Sequence, residues 1–218
     1  MKTNSQLHRD VLDELQWQPS VREAEIGVAV KDGVVTLSGF VDSYAQKVTA
    51  ERAVENVIGV RAVAEELKVK LPHSAQRSDT EISHAALNAL KWNIEVPDAR
   101  LKVKVENGWI TLDGDVDWQF QKTVAEEAVR YLTGVKGVIL AIVVRQLKPA
   151  GLEVSQKIKE ALQRSATVDA GKIFVDSKDG KVVLKGTVRT WAERLDAENA
   201  AWAAPGVFSV EDKIAVGI

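Results

Sequence analysis

The chain has 218 residues, no cysteine, and 31 acidic against 29 basic residues, which give a formal net charge of −2. Without cysteine the chain can have no disulfide, no thiol catalysis and no thiolate metal site. Its charges are interspersed rather than clustered, which excludes a nucleic-acid-binding arm. No apolar run approaches the length of about 18 residues that a transmembrane segment needs.

The chain carries one pattern three times. An Asp-Gly or Asn-Gly dipeptide, alternating apolar residues and a second glycine recur at 32–39, 107–114 and 179–186. In each copy a Gly-Val pair follows the first glycine by 26 residues, at Gly59, Gly134 and Gly206. This fixed spacing predicts three tandem domains of about 70 residues. We place them at 1–71, 79–147 and 151–218.

Each repeat begins with a predicted helix, because apolar residues such as Leu7, Val11 and Leu15 recur at helical spacing. Two strands follow, joined by the Asp-Gly or Asn-Gly dipeptide, which supplies the positive φ that a two-residue hairpin turn needs. A second helix with a buried alanine face comes next. It starts at Ser43 in the first copy and at Thr190 in the third, and both sites match the reciprocal capping box. The Gly-Val pair then leads into a third strand.

This order predicts the fold class α+β, with three tandem α-β-β-α-β repeats. The hairpin makes the first two strands antiparallel, and the crossover helix makes the last two parallel. Each repeat is therefore expected to be a small mixed three-stranded sheet with two helices on one face. Linkers rich in proline and small polar residues are predicted at 71–78 and 146–151.

The motifs Asp/Asn-Gly-x-Val/Ile-x-Leu-x-Gly and Gly-Val-x-x-Val-x-x-x-Leu/Ile-x-Val, separated by an alanine-bearing helix, resemble the BON (bacterial OsmY and nodulation) domain. The resemblance covers nearly the whole chain. It implies a non-enzymatic bacterial protein associated with envelope or osmotic stress and with transport, phospholipid binding, periplasmic chaperoning or potassium binding. Family members often carry a secretion signal, but Met1 to Asp10 lacks its apolar core. We therefore expect a cytoplasmic location.

No catalytic or cofactor signature is evident. His8, His73 and His84 lack a paired histidine or cysteine to complete a metal site, and no nucleophile elbow, P-loop or dinucleotide-binding glycine motif occurs. The sequence therefore predicts no enzyme and no cofactor. A weak cation candidate remains, because three carboxylates have the spacing that begins a calcium loop. The preferred interpretation is a solvated strand end before a helix, and these residues are Asp113, Asp115 and Asp117.

The second helix of the third repeat differs from its counterparts. Trp191 and Trp202 are eleven positions apart, so they share one helix face with Arg194. Tryptophan and arginine together suit anionic lipid head groups or protein clients, and we predict a binding surface formed by these three residues. The alternative, which the sequence favours for the two tryptophans, is that they pack against a neighbouring repeat or linker.

The third strand of the middle repeat, Val138 to Val144, is apolar on both faces. We expect Trp109, Ile139 and Val143 to be covered by neighbouring repeats or by a second subunit, which would make a self-assembling homo-oligomer. A ligand groove is the remaining alternative for this patch. Binding of a small molecule or of an ion such as potassium or calcium is a separate alternative function, which would use backbone carbonyls or the segment Asp113 to Asp117. Trp17 and Trp92 recur after the first helices of two repeats, and we predict that they pack structurally.

Overall fold

The computed structural model describes residues 2–145, 154–165 and 169–217. Six helices lie in these ranges, two in each repeat: α1 (Asn4–Gln16), α2 (Tyr44–Glu55), α3 (Asp79–Trp92), α4 (Gln119–Arg130), α5 (Val154–Arg164) and α6 (Trp191–Trp202). The strands are β1 (Ile26–Lys31), β2 (Val34–Val41), β3 (Ala62–Val69), β4 (Leu101–Glu106), β5 (Trp109–Val116), β6 (Gly137–Val144), β7 (Ile173–Lys178), β8 (Lys181–Val188) and β9 (Ser209–Val216). We call the units beginning with α1, α3 and α5 repeats 1, 2 and 3. The predicted linker 146–151 lies outside the described residues.

The predicted fold class is confirmed in every repeat. Each sheet has three strands with the second one central, paired antiparallel to the first and parallel to the third. In repeat 1, Val35 lies opposite Val30 on one side and Val63 on the other. The hairpin turn has φ of 51° at Asp32 and 81° at Gly33, the two positive values that a type I′ turn requires.

Each repeat has its own hydrophobic core between one sheet face and its two helices. In repeat 1, Leu7, Val11 and Leu15 on α1 meet Leu37 on the central strand, and all four are at most 3% exposed. Ala50 on α2 is fully buried as well. Because alanine is small, it lets the helix lie close to the sheet. The opposite sheet face carries no helix of its own repeat.

The second helices are capped in a slightly different way from the predicted reciprocal box. Ser43 Oγ accepts a hydrogen bond from the backbone N–H of Gln46, and Thr190 Oγ1 accepts one from that of Glu193, each at 3.2 Å. The return bond, however, comes from the residue before the cap, since the N–H of Asp42 donates to Gln46 Oε1 at 3.0 Å. The first helices α1 and α3 have the complete reciprocal box.

The three repeats contact one another head to tail. Tyr44 of repeat 1 packs against the core of repeat 2, and Trp191 of repeat 3 packs against the core of repeat 1. Repeats 2 and 3 meet where α4 and α6 line a common cleft. Likewise, the end of β9 faces the hairpin turn of repeat 1 across one cleft, and the end of β3 faces the turn of repeat 2 across another. Repeat 1 thus meets repeat 2, repeat 2 meets repeat 3 and repeat 3 meets repeat 1, which arranges the three units as a closed ring.

Candidate functional site

Trp191 lies at the boundary between repeats 3 and 1. It is the first residue of α6, and its ring packs against the core of repeat 1. The guanidinium of Arg194 lies 4.8 Å from the centre of this ring, and Arg194 Nε donates to Asp212 Oδ2 on β9 at 2.5 Å. The ion pair and the cation–π contact hold Arg194 in place. This placement agrees with the packing alternative, and a lipid role for these residues stays a prediction.

Trp202 lies at the other end of α6 and faces a different neighbour. Its side chain packs against the core of repeat 3, and its Nε1 donates to Glu198 Oε1 at 3.1 Å. It also lines the cleft shared with α4. Trp191 and Trp202 therefore lie on the same helix but at two different boundaries between repeats, and the structure does not bring the three predicted residues together as one exposed surface.

The cleft between α4 and α6 has a volume of about 510 Å³. On the α4 side it is lined by Trp118, Gln119, Phe120, Thr123 and Val124, and on the α6 side by Asn199, Trp202 and Ala203. The sequence analysis did not single out Trp118 and Phe120. Alignment of the three copies distinguishes Trp118 and Phe120, because the equivalent residues are Ser43 and Ala45 in repeat 1 and Thr190 and Ala192 in repeat 3.

The outer face of the middle sheet is exposed. Trp109, Ile139 and Val143 are 44%, 49% and 61% accessible, so no neighbouring repeat covers them among the residues that the structure describes. The ring of Trp109 lies directly over Gly137, where a Cβ atom would collide with it. Cover by neighbouring repeats is therefore not observed, and a second subunit or a ligand remains as the predicted occupant.

Two of the three carboxylates of the weak cation candidate face arginines. Arg100 Nη1 lies 2.9 Å from Asp117 Oδ1 and 3.6 Å from Asp115 Oδ2, and Arg145 pairs with Asp115 as well. The hydrogen bond from Arg100 lowers the pKa of the Asp117 carboxyl. Asp113 is exposed on the outer sheet face, opposite Lys102. Within the described ranges no three acidic, histidine or cysteine side chains cluster as a metal site would require, so the arrangement gives a cation site no support.

Trp17 and Trp92 are exposed, and the prediction that they pack structurally is wrong. Their side chains are 80% and 86% accessible, and Ile94 beside the second is 99% accessible. The reason is angular. Each tryptophan comes two residues after the last buried leucine of its helix, Leu15 or Leu90, which turns it about 200° away from the core. Arg164, at the equivalent position of repeat 3, is exposed too.

Three half-buried acidic side chains, all on α2, have raised pKa values. Burial, followed by the negative charge of Glu65, raises the pKa of Glu51, and burial followed by Glu51 raises that of Glu55. Burial and then Glu126 of repeat 2 raise the pKa of the Tyr44 hydroxyl. The shift of Tyr44 comes in part from Glu126 of the neighbouring repeat, whereas the charges that shift Glu51 and Glu55 lie within repeat 1.

In the part of the chain that the structure describes, every helix is too short or too polar to cross a bilayer. The longest, α3, has 14 residues, whereas a membrane-spanning helix needs about 20.

Comparison with known proteins gives one family and one related sequence. Residues 3–70, 78–146 and 152–218 match the family model described as BON domain. The osmotically-inducible protein Y of Escherichia coli (strain K12) is 32% identical over 123 residues, which cover 55% of this chain and 61% of that protein. The match therefore spans less than two thirds of the relative.

Two solved structures are also similar at low identity. Both are of CdsD, a structural protein of the type III secretion system of Chlamydia trachomatis, and the second is of its C-terminal domain. Each is 14% identical with a TM-score of 0.26, and the matches cover 96% and 99% of this chain and 91% and 99% of those chains. At this TM-score the likeness carries no argument about fold or function.

Proposed function

Because the chain belongs to the BON domain family, we propose that it is a non-enzymatic protein of osmotic stress that binds anionic phospholipid surfaces. The name of the Escherichia coli relative supports the association with osmotic stress. The absence of a recognisable catalytic motif in the sequence supports a binding role. The lipid surface is proposed on the geometry of exposed side chains.

The observation that carries the proposal is the exposure of Trp17 and Trp92. Both indole rings stand at the C-terminal ends of the first helices of their repeats, and both are more than three quarters accessible. In a closed ring of three equivalent units, equivalent residues lie at the same level along the ring axis. The two tryptophans, with Ile94, can therefore reach one flat surface together. Tryptophan is enriched at the membrane interface because its ring is apolar and its N–H is polar.

Positive charge accompanies these rings. Lys91 directly precedes Trp92, and Arg164 holds the position of the tryptophan in repeat 3, and both are exposed. By the same argument we expect Arg164 at the level of the tryptophans. Each basic residue close to an anionic membrane surface contributes about 1 kcal/mol of attraction, and a guanidinium can bind phosphate with two hydrogen bonds.

Co-sedimentation with vesicles tests the proposal. We expect the wild-type chain to bind phosphatidylcholine vesicles that contain phosphatidylglycerol, and the Trp17→Ala/Trp92→Ala variant to lose at least about tenfold in affinity. Trp109→Ala is the matched control, since it removes a tryptophan from another exposed surface.

The alternative contact at Trp191, Arg194 and Trp202 is tested by Trp202→Ala. A loss in that variant, with full binding by Trp17→Ala/Trp92→Ala, would move the site to α6. No binding by the wild type would remove lipid as the ligand and favour protein clients.

Self-assembly is a second candidate function, favoured by the exposed apolar face of Trp109, Ile139 and Val143. The strand β6 is an edge strand without a single charged residue, whereas the equivalent strands β3 and β9 carry Glu65 and Glu211. Uncharged apolar edges readily pair with another chain. Light scattering should then show a dimer or larger species, and Val143→Lys should return it to a monomer. A wild-type monomer at high micromolar concentration would remove this candidate.

A further inference from the structure

The three boundaries between repeats involve the same helix position, but the residue at that position differs. The first residue of the second helix reaches the neighbouring repeat, and it is Tyr44 in repeat 1 and Trp191 in repeat 3. In repeat 2 the equivalent residue is Gln119, which has no ring. The cleft of about 510 Å³ lies at this third boundary and is lined by Gln119 itself. At this helix position the chain thus supplies an aromatic ring at two boundaries and an amide at the third.

In repeat 2 the N-cap residue of the second helix, which lines this cleft, makes no side-chain capping hydrogen bond. Ser43 and Thr190 cap the second helices of the other repeats through their hydroxyl oxygens. Trp118 holds the same position in repeat 2, and an indole ring has no oxygen to accept the hydrogen bond. Phe120, two residues later, replaces an alanine of the other copies. Trp118, which makes no side-chain cap, and Phe120 both line this one cleft, and the folding of the helix does not require either ring.

The lining of the cleft defines the chemistry of its occupant. Every residue around it is uncharged, so a charged ligand would find no counter-charge there. Trp118, Phe120 and Trp202 offer aromatic surfaces for stacking, and the amides of Gln119 and Asn199 offer hydrogen-bond donors and acceptors. The volume falls within the range of about 300–1,000 Å³ that is typical of small-molecule sites.

We propose that the cleft between α4 and α6 binds a neutral, planar aromatic molecule of one or two rings. Such a ligand occupies the place that the rings of Tyr44 and Trp191 take at the other two boundaries. It joins repeats 2 and 3 by stacking against aromatic side chains of both. The site is independent of the proposed lipid surface, because it uses neither Trp17 nor Trp92.

Fluorescence titration with prodan, a neutral fluorophore with two fused rings, tests this site in the full chain. We expect saturable binding with a blue-shifted emission, and displacement of the probe by indole. Gln119→Trp supplies the missing ring from the chain, so it should weaken prodan binding at least about tenfold without lowering the unfolding temperature. Trp92→Ala is the control and should bind the probe as the wild type does.

Trp118→Ser distinguishes a ligand-binding role of Trp118 from an ordinary packing role. It restores the cap of the other repeats, so we expect the unfolding temperature to rise while prodan affinity falls. Equal prodan affinity in the wild type, Gln119→Trp and Trp118→Ser would overturn the proposal, as would the absence of saturable binding by the wild type. Circular dichroism confirms that each variant is folded, and either variant alone decides the question if the other fails to fold.

Discussion

Tyr44 and Trp191 occupy the same position in two repeats, and each packs, partly buried, against the core of a neighbouring repeat. Small domains of this size bury too little surface to be very stable alone. These two side chains therefore link three small cores into one body, and the stability of each repeat depends on its neighbour.

Removing the ring of Trp191 should destabilise the chain. Trp191→Ala takes a large apolar group out of the boundary between repeats 3 and 1, and we expect a loss of about 2 kcal/mol or more in the free energy of unfolding. Trp17→Ala, which removes the same side chain from an exposed site, should change it by less than about 0.5 kcal/mol. Urea denaturation followed by circular dichroism measures both. Equal effects of the two substitutions would show that Trp191 does not join the repeats.

Glu51 should make stability depend on pH. Its pKa in the folded chain is raised above the ordinary value of 4.5, first by burial and then by Glu65. Its contribution is therefore fully present below about 4.5 and is lost as the pH rises through the raised value. Glu51→Gln mimics the protonated form, so we expect this variant to be more stable than the wild type at pH 7 and equal to it near pH 4. Thermal unfolding at both pH values measures this, with the exposed Glu106→Gln as control. A stabilisation that persists at pH 4 would contradict the assignment.

Gly114 should tolerate no side chain. Its φ is 133°, and a Cβ atom there would overlap the carbonyl oxygen of Arg100. Gly114→Ala is expected to lower the free energy of unfolding by more than about 1 kcal/mol. Gly217, whose Cβ would meet no atom within 4 Å, provides the control Gly217→Ala. Chemical denaturation distinguishes them, and an unchanged midpoint for Gly114→Ala would show that the backbone at this position can relax.

Calcium and potassium should not change the unfolding temperature of the chain. Asp115 and Asp117 are paired with Arg100, and Asp115 also with Arg145, so a cation would have to displace two guanidinium groups. Differential scanning fluorimetry in millimolar calcium or potassium chloride should show the same unfolding temperature as in sodium chloride at equal ionic strength. A specific rise with either cation, abolished by Asp115→Asn, would restore the cation site.

The fold of a single repeat was predictable because its signals are local. The helical spacing of Leu7, Val11 and Leu15 and the Asp32-Gly33 turn each depend on a few neighbouring residues, and all agree with one topology. The joining of the repeats was not predictable in the same way. Tyr44 lies on the polar side of its own helix, and only the neighbouring repeat buries its ring.

The candidate surfaces were likewise predictable only where they depend on one repeat. The recurrence of Trp17 as Trp92 predicts packing, but the angle of Trp17 from Leu15 places its side chain on the solvent side. The cleft could not be seen from either repeat alone, since α4 and α6 each supply only half of it. The replacement of a capping residue by Trp118 was visible in the aligned copies, but its meaning depends on the position of Trp202 across the boundary.

The most direct test of the lipid-binding account is quenching of tryptophan fluorescence by brominated lipids. The variant that keeps Trp17 and Trp92 and replaces the other four tryptophans with phenylalanine reports on these two rings alone. With vesicles containing brominated phosphatidylcholine and phosphatidylglycerol, we predict a blue shift of its emission and strong quenching, because both rings enter the interface. Emission that is neither shifted nor quenched while the protein sediments with the vesicles would contradict the account.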